Sequence, residues 1–262
     1  MQVTIIGSGN VATVLGQLLM QQGHHIAQVY SRNAAHAVEL AKQLQSEAIS
    51  GLEMLNTNAD LYLLAVTDDA LPGVAAQLSL GDKLVVHTAG SVSKEVLNKV
   101  STNYGVLWPM KMIRRNMTTL QPVTIVIDGS SETAVKRIEL LALLFSPFVT
   151  RADDALRVKM HMLAAITSNF TNHLYHLAAD YCIKENIDFS FFYPLIEETA
   201  QRIQTNHPKQ VQAGPAFRGD RQTLQKHKRL LEQYPQLEKL YQTLSDSIGQ
   251  SFTGNTLPNN EK

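Results

Sequence analysis

The feature that most constrains this chain is a glycine-rich turn between a predicted strand and a predicted helix. Residues 3–7 read VTIIG, and residues 10–22 carry apolar side chains at helical spacing. Gly7, Gly9 and Ala12 form the pattern G-x-G-x-x-A, which in this context is typical of dinucleotide-binding folds. Gly7 permits the tight turn, and Gly9 lets the backbone approach a pyrophosphate. The alternative is a turn that only packs a helix closely on a strand.

If the turn binds a nucleotide, the backbone amides at the start of the helix make the contact. These amides belong to Ser8, Gly9, Asn10 and Val11, and they point from a helix N-terminus towards the anion. We predict these four residues, with Gly7, as the first part of a cofactor site.

Up to about residue 150, short apolar runs alternate with helical periods. Strands are predicted near 25–30, 60–66, 83–88, 105–109, 122–128 and 148–150, and helices near 34–45, 69–78, 93–99 and 131–145. This alternation is typical of an α/β fold with a Rossmann-like, mostly parallel sheet covered on both faces.

After Asp153 the pattern changes to helices alone. One helix of about 30 residues is predicted over 154–184, another over 190–204, and two more begin at Asp220 and Pro235. The sequence therefore predicts an α/β domain over 1–152, an all-α helical domain over 153–250 and a loose tail over 251–262.

The charge balance and the cysteine content limit which binding partners and which cell compartment are expected. Lysine plus arginine number 23, as do aspartate plus glutamate, so no net positive field would attract nucleic acid or an anionic membrane. Cys182 is the single cysteine, which excludes an internal disulfide, and the N-terminus does not resemble a secretory signal. We predict a cytoplasmic protein that binds a small molecule, not a membrane or nucleic acid.

The end of the second predicted strand bears on the choice of nucleotide. NAD-binding folds usually have an acidic residue there, whereas this chain has Tyr30, Ser31, Arg32 and Asn33. A serine hydroxyl and a guanidinium can donate to a 2′-phosphate, so Ser31 and Arg32 favour NADP over NAD. Arg32 could instead be an ordinary solvated surface charge.

Two further strand ends contribute candidates at the same sheet edge. Val66 and Thr67 follow one strand and are predicted to contact the dinucleotide, whereas Asp68 either joins them or caps the next helix. His87 and Thr88 end another strand, close to where a nicotinamide would lie. His87 is either a proton donor there or a core histidine.

The long predicted helix carries candidate catalytic residues. His161 and Ser168 are about 20° apart on an ideal helix, and Asn169 is about 80° from His161. His161 and Asn169 could hold a carbonyl or imine group and supply its proton, or they could cross-link neighbouring helices. Lys159 is a second proton-donor candidate, but it turns away from His161.

Two other groups of polar residues lie in the helical half. Arg218, in AGPAFRGD, could bind a substrate carboxylate or anchor the turn. His173 and His176 have no third ligand nearby in the sequence, so we predict no metal site.

Four motifs of the first domain, IIGSGNVA, SR, LLAVTDDA and HTAGSVS, resemble the NADP-binding domain shared by deazaflavin-dependent NADP oxidoreductases and pyrroline-5-carboxylate reductases. HMLAAITSNF and AGPAFRGD are similar to a group of NADP oxidoreductases whose helical domain has no assigned function. The resemblance implies an NADP site, a homodimer formed through the helical domain, and an active cleft between the domains. One departure is Trp108-Pro109, where such proteins often have a His-Pro pair.

Together these features predict an NADP-dependent oxidoreductase that transfers hydride between NADP(H) and a small polar substrate with a carbonyl or imine group. This substrate could also be an anion. The alternative is a dinucleotide-binding sensor or assembly module without catalytic activity, because the sequence contains no unmistakable acid–base pair.

Overall fold

The structure is a computed structural model, and it describes residues 1–252. Contacts between residues divide the chain into two units, Met1–Ser168 and the residues from Asn169 onward. The predicted tail begins at Ser251, but helix α10 includes Ser251 and Phe252, and the rest of the tail lies outside the described residues.

An eight-stranded sheet forms the centre of the first unit. Its strands are β1 Gln2–Ile6, β2 His25–Tyr30, β3 Glu47–Ile49, β4 Leu61–Leu64, β5 Leu84–His87, β6 Asn103–Pro109, β7 Ile125–Gly129 and β8 Val149–Arg151. They lie in the order β3-β2-β1-β4-β5-β6-β7-β8. Only the β6–β7 pair is antiparallel, which confirms the predicted Rossmann-like, mostly parallel sheet.

Helices cover both faces of this sheet. They are α1 Asn10–Gln21, α2 Ala34–Gln43, α3 Leu71–Ala75, α4 Glu132–Leu143 and α5 Asp154–Ala164, with short 3-10 turns at Leu52–Met54 and Lys94–Leu97. Successive strand residues point to opposite faces, so Ile5 packs in the core beneath α1, α2 and α4, and Ile6 in the core beneath α3. The central strands β4 and β5 are almost entirely apolar because both of their faces are buried.

The local differences from the predicted elements have physical causes. Strand β3 was not predicted, since it is three residues long and its sequence, EAI, lacks a β-branched run. The helix predicted over 69–78 is only Leu71–Ala75, where Pro72 fits the first turn but Gly73 weakens helix propagation.

The second unit is all-helical over its described residues. Its elements are α6 Thr171–Lys184, α7 Tyr193–Thr205, α8 Pro215–Arg218, α9 Arg221–Leu231 and α10 Pro235–Phe252, with 3-10 turns at Phe189–Phe192 and Pro208–Gln210. Asp220 caps α9 by accepting a hydrogen bond from the Thr223 amide at 3.1 Å, and α10 starts at Pro235. Both predicted helix starts are therefore confirmed.

The long predicted helix over 154–184 is helical throughout but is not a regular α-helix. Residues Ala165–Phe170, between α5 and α6, form a π-helical segment. By its contacts, the preceding helix α5 belongs to the first unit together with the sheet, although the sequence pattern assigns residues 153–250 to the second domain. That domain boundary stays a prediction. No helix among the described residues is long and apolar enough to cross a membrane.

Candidate functional site

The backbone of this chain itself requires the first glycine of the turn. Gly7 has φ +125°, and a Cβ added there would lie 2.2 Å from the Ala65 carbonyl oxygen. The Gly7 amide donates to the Tyr30 carbonyl at 2.8 Å. Gly7 thus joins β1, β2 and β4 at one point, and any side chain would separate them.

The second glycine has no such internal reason to be glycine. A Cβ added to Gly9 meets nothing within 4 Å, and Gly9 is the N-terminal cap of α1 with no side-chain hydrogen bond to the cap. The first turn of α1 also contains no acidic residue. The first-turn amides of this twelve-residue helix have no partner within the helix, and the space beside Gly9 is open, as an anion-binding turn requires.

A cavity of about 570 Å³ lies beside this turn, at the carboxyl ends of β1, β2 and β4. It brings together predicted residues from three separate strands. Its lining comprises Gly7, Ser8, Gly9, Tyr30, Ser31, Arg32, Asn33, His36, Ala65, Val66, Thr67, Ala70, Gly73, Val74 and Gln77. Asn10 and Val11 are in the first turn of α1, next to this lining.

The β2 end of the cavity is rich in donors and lacks negative charge. Ser8 Oγ donates to Ser31 Oγ at 2.8 Å, which ties the glycine-rich turn to the loop after β2. Arg32 and His36 are exposed there, and the described lining contains no carboxylate. This arrangement fits a 2′-phosphate better than a bare ribose hydroxyl pair, for which an acidic acceptor is usual.

His87 and Thr88 do not line this cavity. The His87 side chain is 0% exposed, and its Nδ1 accepts a hydrogen bond from the Ala89 amide at 3.2 Å. Burial, followed by the nearby Arg157 charge, lowers the pKa of His87 to about 4, so the ring is neutral at pH 7. Thr88 is also buried, and its amide donates to the Leu64 carbonyl at 3.2 Å. Contact of His87 and Thr88 with a bound dinucleotide stays a prediction.

Asp68 does not cap the following helix with its side chain. Ala70 occupies the cap position of α3 without a side-chain hydrogen bond, and the Asp68 carboxylate accepts instead from the Ser91 hydroxyl. The capping alternative for Asp68 was therefore wrong. Its carboxylate links the segments that follow β4 and β5.

His161 lies over the segment that follows β5. Its ring packs edge-on against Trp108, with the ring centroids 5.5 Å apart. A Cβ on Gly90 would lie 2.7 Å from a carbon of each ring, so Gly90 is the residue that admits both. His161 is exposed whereas Trp108 is buried beside Met110. The imidazole is thus held at the carboxyl edge of the sheet with an apolar wall on one side.

An ion-pair network centred on the buried Arg157 fixes the helix that carries His161. Arg157, 0% exposed and one turn before His161, donates to the Val92 carbonyl and to Asp154 Oδ1, both at 2.6 Å. Asp154 also accepts from the Lys94 amide at 3.1 Å, and Lys94 pairs with Asp128 at 2.8 Å.

Desolvation raises the pKa of Asp154, but hydrogen bonds from Ser93, Arg157 and Lys94 outweigh it, so the net pKa is lowered. Sequence reasoning missed this network. The three-residue spacing of Asp154 and Arg157 on one helix was the available signal.

The two remaining catalytic candidates, Asn169 and Arg218, are exposed residues of the second unit. The π-helical segment Ala165–Phe170 contains Asn169 and departs from 3.6 residues per turn. The ideal-helix angles that placed His161, Ser168 and Asn169 on one broad face therefore do not apply. Arg218 is the last residue of α8, followed by Gly219 in the left-handed region at φ +67°.

The histidine pair in α6 has one acidic neighbour. The rings of His173 and His176 lie 6.0 Å apart, and His176 Nε2 is 3.6 Å from the Asp180 carboxylate. Over residues 1–252, no group of three or more histidine, cysteine or acidic side chains is arranged to hold a metal ion.

Comparison with known proteins identifies relatives of both halves. Residues 2–91 match the family model described as NADP oxidoreductase, coenzyme F420-dependent, and residues 123–248 match a domain of unknown function, DUF2520. Curated proteins gave no match.

Among solved structures, a provisionally named NADP oxidoreductase of Bacteroides fragilis is 35% identical, with a TM-score of 0.87 over 95% of this chain and 98% of that one. Two more distant structures share the fold. The 1-pyrroline-5-carboxylate reductase of Streptococcus pyogenes is 16% identical, with a TM-score of 0.64 over 95% of this chain and 98% of that chain. The reductive aminase of Aspergillus terreus, in complex with NADPH and ethyl-5-oxohexanoate, is 16% identical, with a TM-score of 0.70 over 95% and 93% of the two chains.

Proposed function

This chain belongs to the NADP oxidoreductase family, and on that premise we propose that it transfers hydride between NADP(H) and a small polar substrate with a carbonyl or imine group. The observation that carries the proposal is the open space over Gly9. Gly9 lines a cavity at the start of helix α1, and no contact within the protein explains the glycine.

The cavity residues divide the work of holding the nucleotide. The amides of Ser8 to Val11 would hold the pyrophosphate, Val66 and Thr67 would flank the dinucleotide, and Ser31 with Arg32 would hold the 2′-phosphate. NADPH, when bound, supplies the hydride. Because Arg32 has no carboxylate partner among the described residues, its charge is available for the phosphate, which supports NADP over NAD.

His161 is the proposed proton donor. Its ring is held by Trp108 and by the close approach over Gly90, yet it remains accessible to a substrate. Donation to a developing oxygen or nitrogen anion needs a donor fixed in position, and histidine is the side chain that most often transfers the proton in such reactions. The apolar wall of Trp108 and Met110 would help to exclude water.

Asn169 and Arg218 stay proposed substrate contacts. Asn169 can hydrogen-bond a carbonyl or imine group, and Arg218 can bind a substrate carboxylate in a bidentate arrangement. Their exposure in the second unit keeps both side chains available for a ligand.

We also propose a cytoplasmic homodimer that forms through the helical unit. Helix α7 has an apolar stripe but no buried residue. Leu195 in α7, Ile183 in α6 and Phe191 in the turn before α7 are all at least 60% exposed. A surface with this much exposed apolar area is typical of one that a second copy of the chain covers. Cys182 is the single cysteine of the chain and is buried, so no internal disulfide is available, which is consistent with a reducing compartment. Sedimentation equilibrium should give twice the mass of 29.0 kDa; a monomer at micromolar concentration would contradict the pairing.

The catalytic proposal is tested by His161→Ala with a panel of small carbonyl and imine compounds and NADPH. Loss of a general acid should lower kcat about 100-fold or more, while the Kd for NADPH changes less than about twofold. Lys159→Ala, an exposed cation two residues away, is the matched control and should retain activity. Equal losses of turnover and NADPH affinity, or no loss, would contradict the role of His161. Tight NADPH binding without turnover of any compound would instead favour a sensor.

A further inference from the structure

The loop between β6 and β7 crosses the glycine-rich turn. The Asn10 side-chain amide donates to the Ile113 carbonyl at 3.0 Å, and Arg115 Nη2 donates to the Ser8 carbonyl at 3.0 Å. Ile113 and Met117 pack against the main hydrophobic core, which anchors the loop on both sides of Arg115. A segment more than 100 residues away in sequence is therefore fastened to the turn that faces the cavity.

Arg115 is the cation of this loop that reaches the turn. Lys111 does not contact the turn; its Nζ donates to the carbonyls of Leu120 at 2.9 Å and Pro122 at 3.3 Å. Arg114 is exposed and makes no ion pair within the part of the chain that the structure describes. Arg115 Nη1 contacts the Glu39 carboxylate of α2 at 3.2 Å, and both side chains are close to half exposed.

The contact with Ser8 joins a guanidinium to the same turn whose amides are proposed to bind the anion. An arginine that donates to a carbonyl of this turn fixes the backbone and also adds a full positive charge to the partial charge of the helix end. Glu39 offsets part of that charge in the free protein. The two side chains therefore form a charge pair whose cation is hydrogen-bonded to the turn that is proposed to hold the pyrophosphate.

We propose that Arg115 is a positioning residue for the cofactor that holds the glycine-rich turn and stabilises the pyrophosphate electrostatically. This inference rests on the proposed NADP(H) site and deepens it. It assigns Arg115 a role that differs from that of Arg32, because the pyrophosphate is common to NADPH and NADH whereas the 2′-phosphate belongs to NADPH alone.

The test is calorimetric titration of the full chain with NADPH and NADH. Arg115→Ala should raise the Kd for both nucleotides by a similar factor, about five- to tenfold. Arg115→Lys, which keeps the charge but not the planar geometry, should recover part of the loss. Arg114→Ala, a change of the same kind in the neighbouring residue, should leave both Kd values within about twofold.

Two further readouts separate this role from general loop stability. Arg115→Ala should weaken the dependence of Kd on salt concentration, since one cation is removed, while Arg114→Ala leaves it unchanged. Glu39→Gln should tighten binding of both nucleotides about two- to threefold, and that gain should disappear when Arg115 is alanine. An equal effect of Glu39→Gln in the two backgrounds would contradict the coupling.

Other outcomes overturn the inference in distinguishable ways. Wild-type affinity of Arg115→Ala for both nucleotides, or a loss confined to NADPH, would refute a pyrophosphate role while leaving the cofactor site intact. A lower thermal midpoint of the nucleotide-free variant with unchanged salt dependence would show a structural tether only. Absence of binding by the wild-type protein would refute the proposed function itself, before any variant is compared.

Discussion

Substitution of Gly9 by alanine separates nucleotide binding from folding at one position. The backbone of Gly9, with φ −77° and ψ −174°, is allowed for alanine, and the added Cβ meets no atom within 4 Å. Alanine is a poorer N-terminal cap than glycine, but it also restricts the unfolded chain. These effects oppose each other, so the free energy of unfolding should change by less than about 1 kcal/mol.

The same methyl group should be costly when a nucleotide binds. A phosphate oxygen that accepts from amides of this turn lies about 3 Å from the nitrogen, and a Cβ on Gly9 projects into that approach. Loss of one charge-assisted hydrogen bond is about 1.5 to 3 kcal/mol, which raises the Kd about 10- to 150-fold.

Gly7→Ala is the comparison that makes this result interpretable. Its Cβ would lie 2.2 Å from the Ala65 carbonyl oxygen at φ +125°, so the unfolding free energy should fall by more than about 2 kcal/mol. Urea denaturation measures stability, and fluorescence titration measures NADPH binding. If Gly9→Ala bound NADPH as tightly as the wild-type protein, the phosphates would not lie on this turn.

Three further changes test other parts of the molecule. Arg32→Ala should raise the Kd for NADPH about tenfold or more and leave that for NADH within twofold in parallel titrations; equal losses would refute the 2′-phosphate assignment. Arg157→Met should lower the unfolding free energy by about 3 kcal/mol in urea, because it leaves the Asp154 carboxylate without its buried partner; an unchanged midpoint would contradict a stabilising network. Since the folded pKa of His87 is about 4 and the unfolded pKa about 6.5, the unfolded state binds more protons between these values. Stability should therefore fall by about 3 kcal/mol as the pH drops through this window, and a His87→Asn variant with the same slope would refute the assignment to His87.

Much of the fold could be predicted because its signals are local. The strands β1, β2 and β4 are mostly apolar and largely buried, so each could be identified from a few neighbouring residues. The cap at Asp220 likewise depends on a residue three positions away. By contrast, β3 is held by pairing with Gln28 to Tyr30, and the short segment itself carries little preference.

In the candidate site, too, the features with local signals could be predicted, whereas those that depend on distant contacts could not. The glycine-rich turn could be found because its pattern lies within six residues of one strand–helix junction. The contacts of Arg115 with Ser8 and of Arg157 with Val92 join residues 107 and 65 positions apart, and they depend on the path of the intervening loops. The π-helical segment has no distinctive composition, so ideal helical angles were assumed where they do not hold.

Isothermal titration calorimetry of the unmodified protein with NADPH and with NADH tests the central claim most directly. The open turn at Gly9, together with Ser31 and Arg32, predicts one NADPH bound per chain and NADH bound at least about tenfold more weakly. Absence of binding by both nucleotides would show that the turn serves packing alone, and the oxidoreductase assignment of this site would be contradicted.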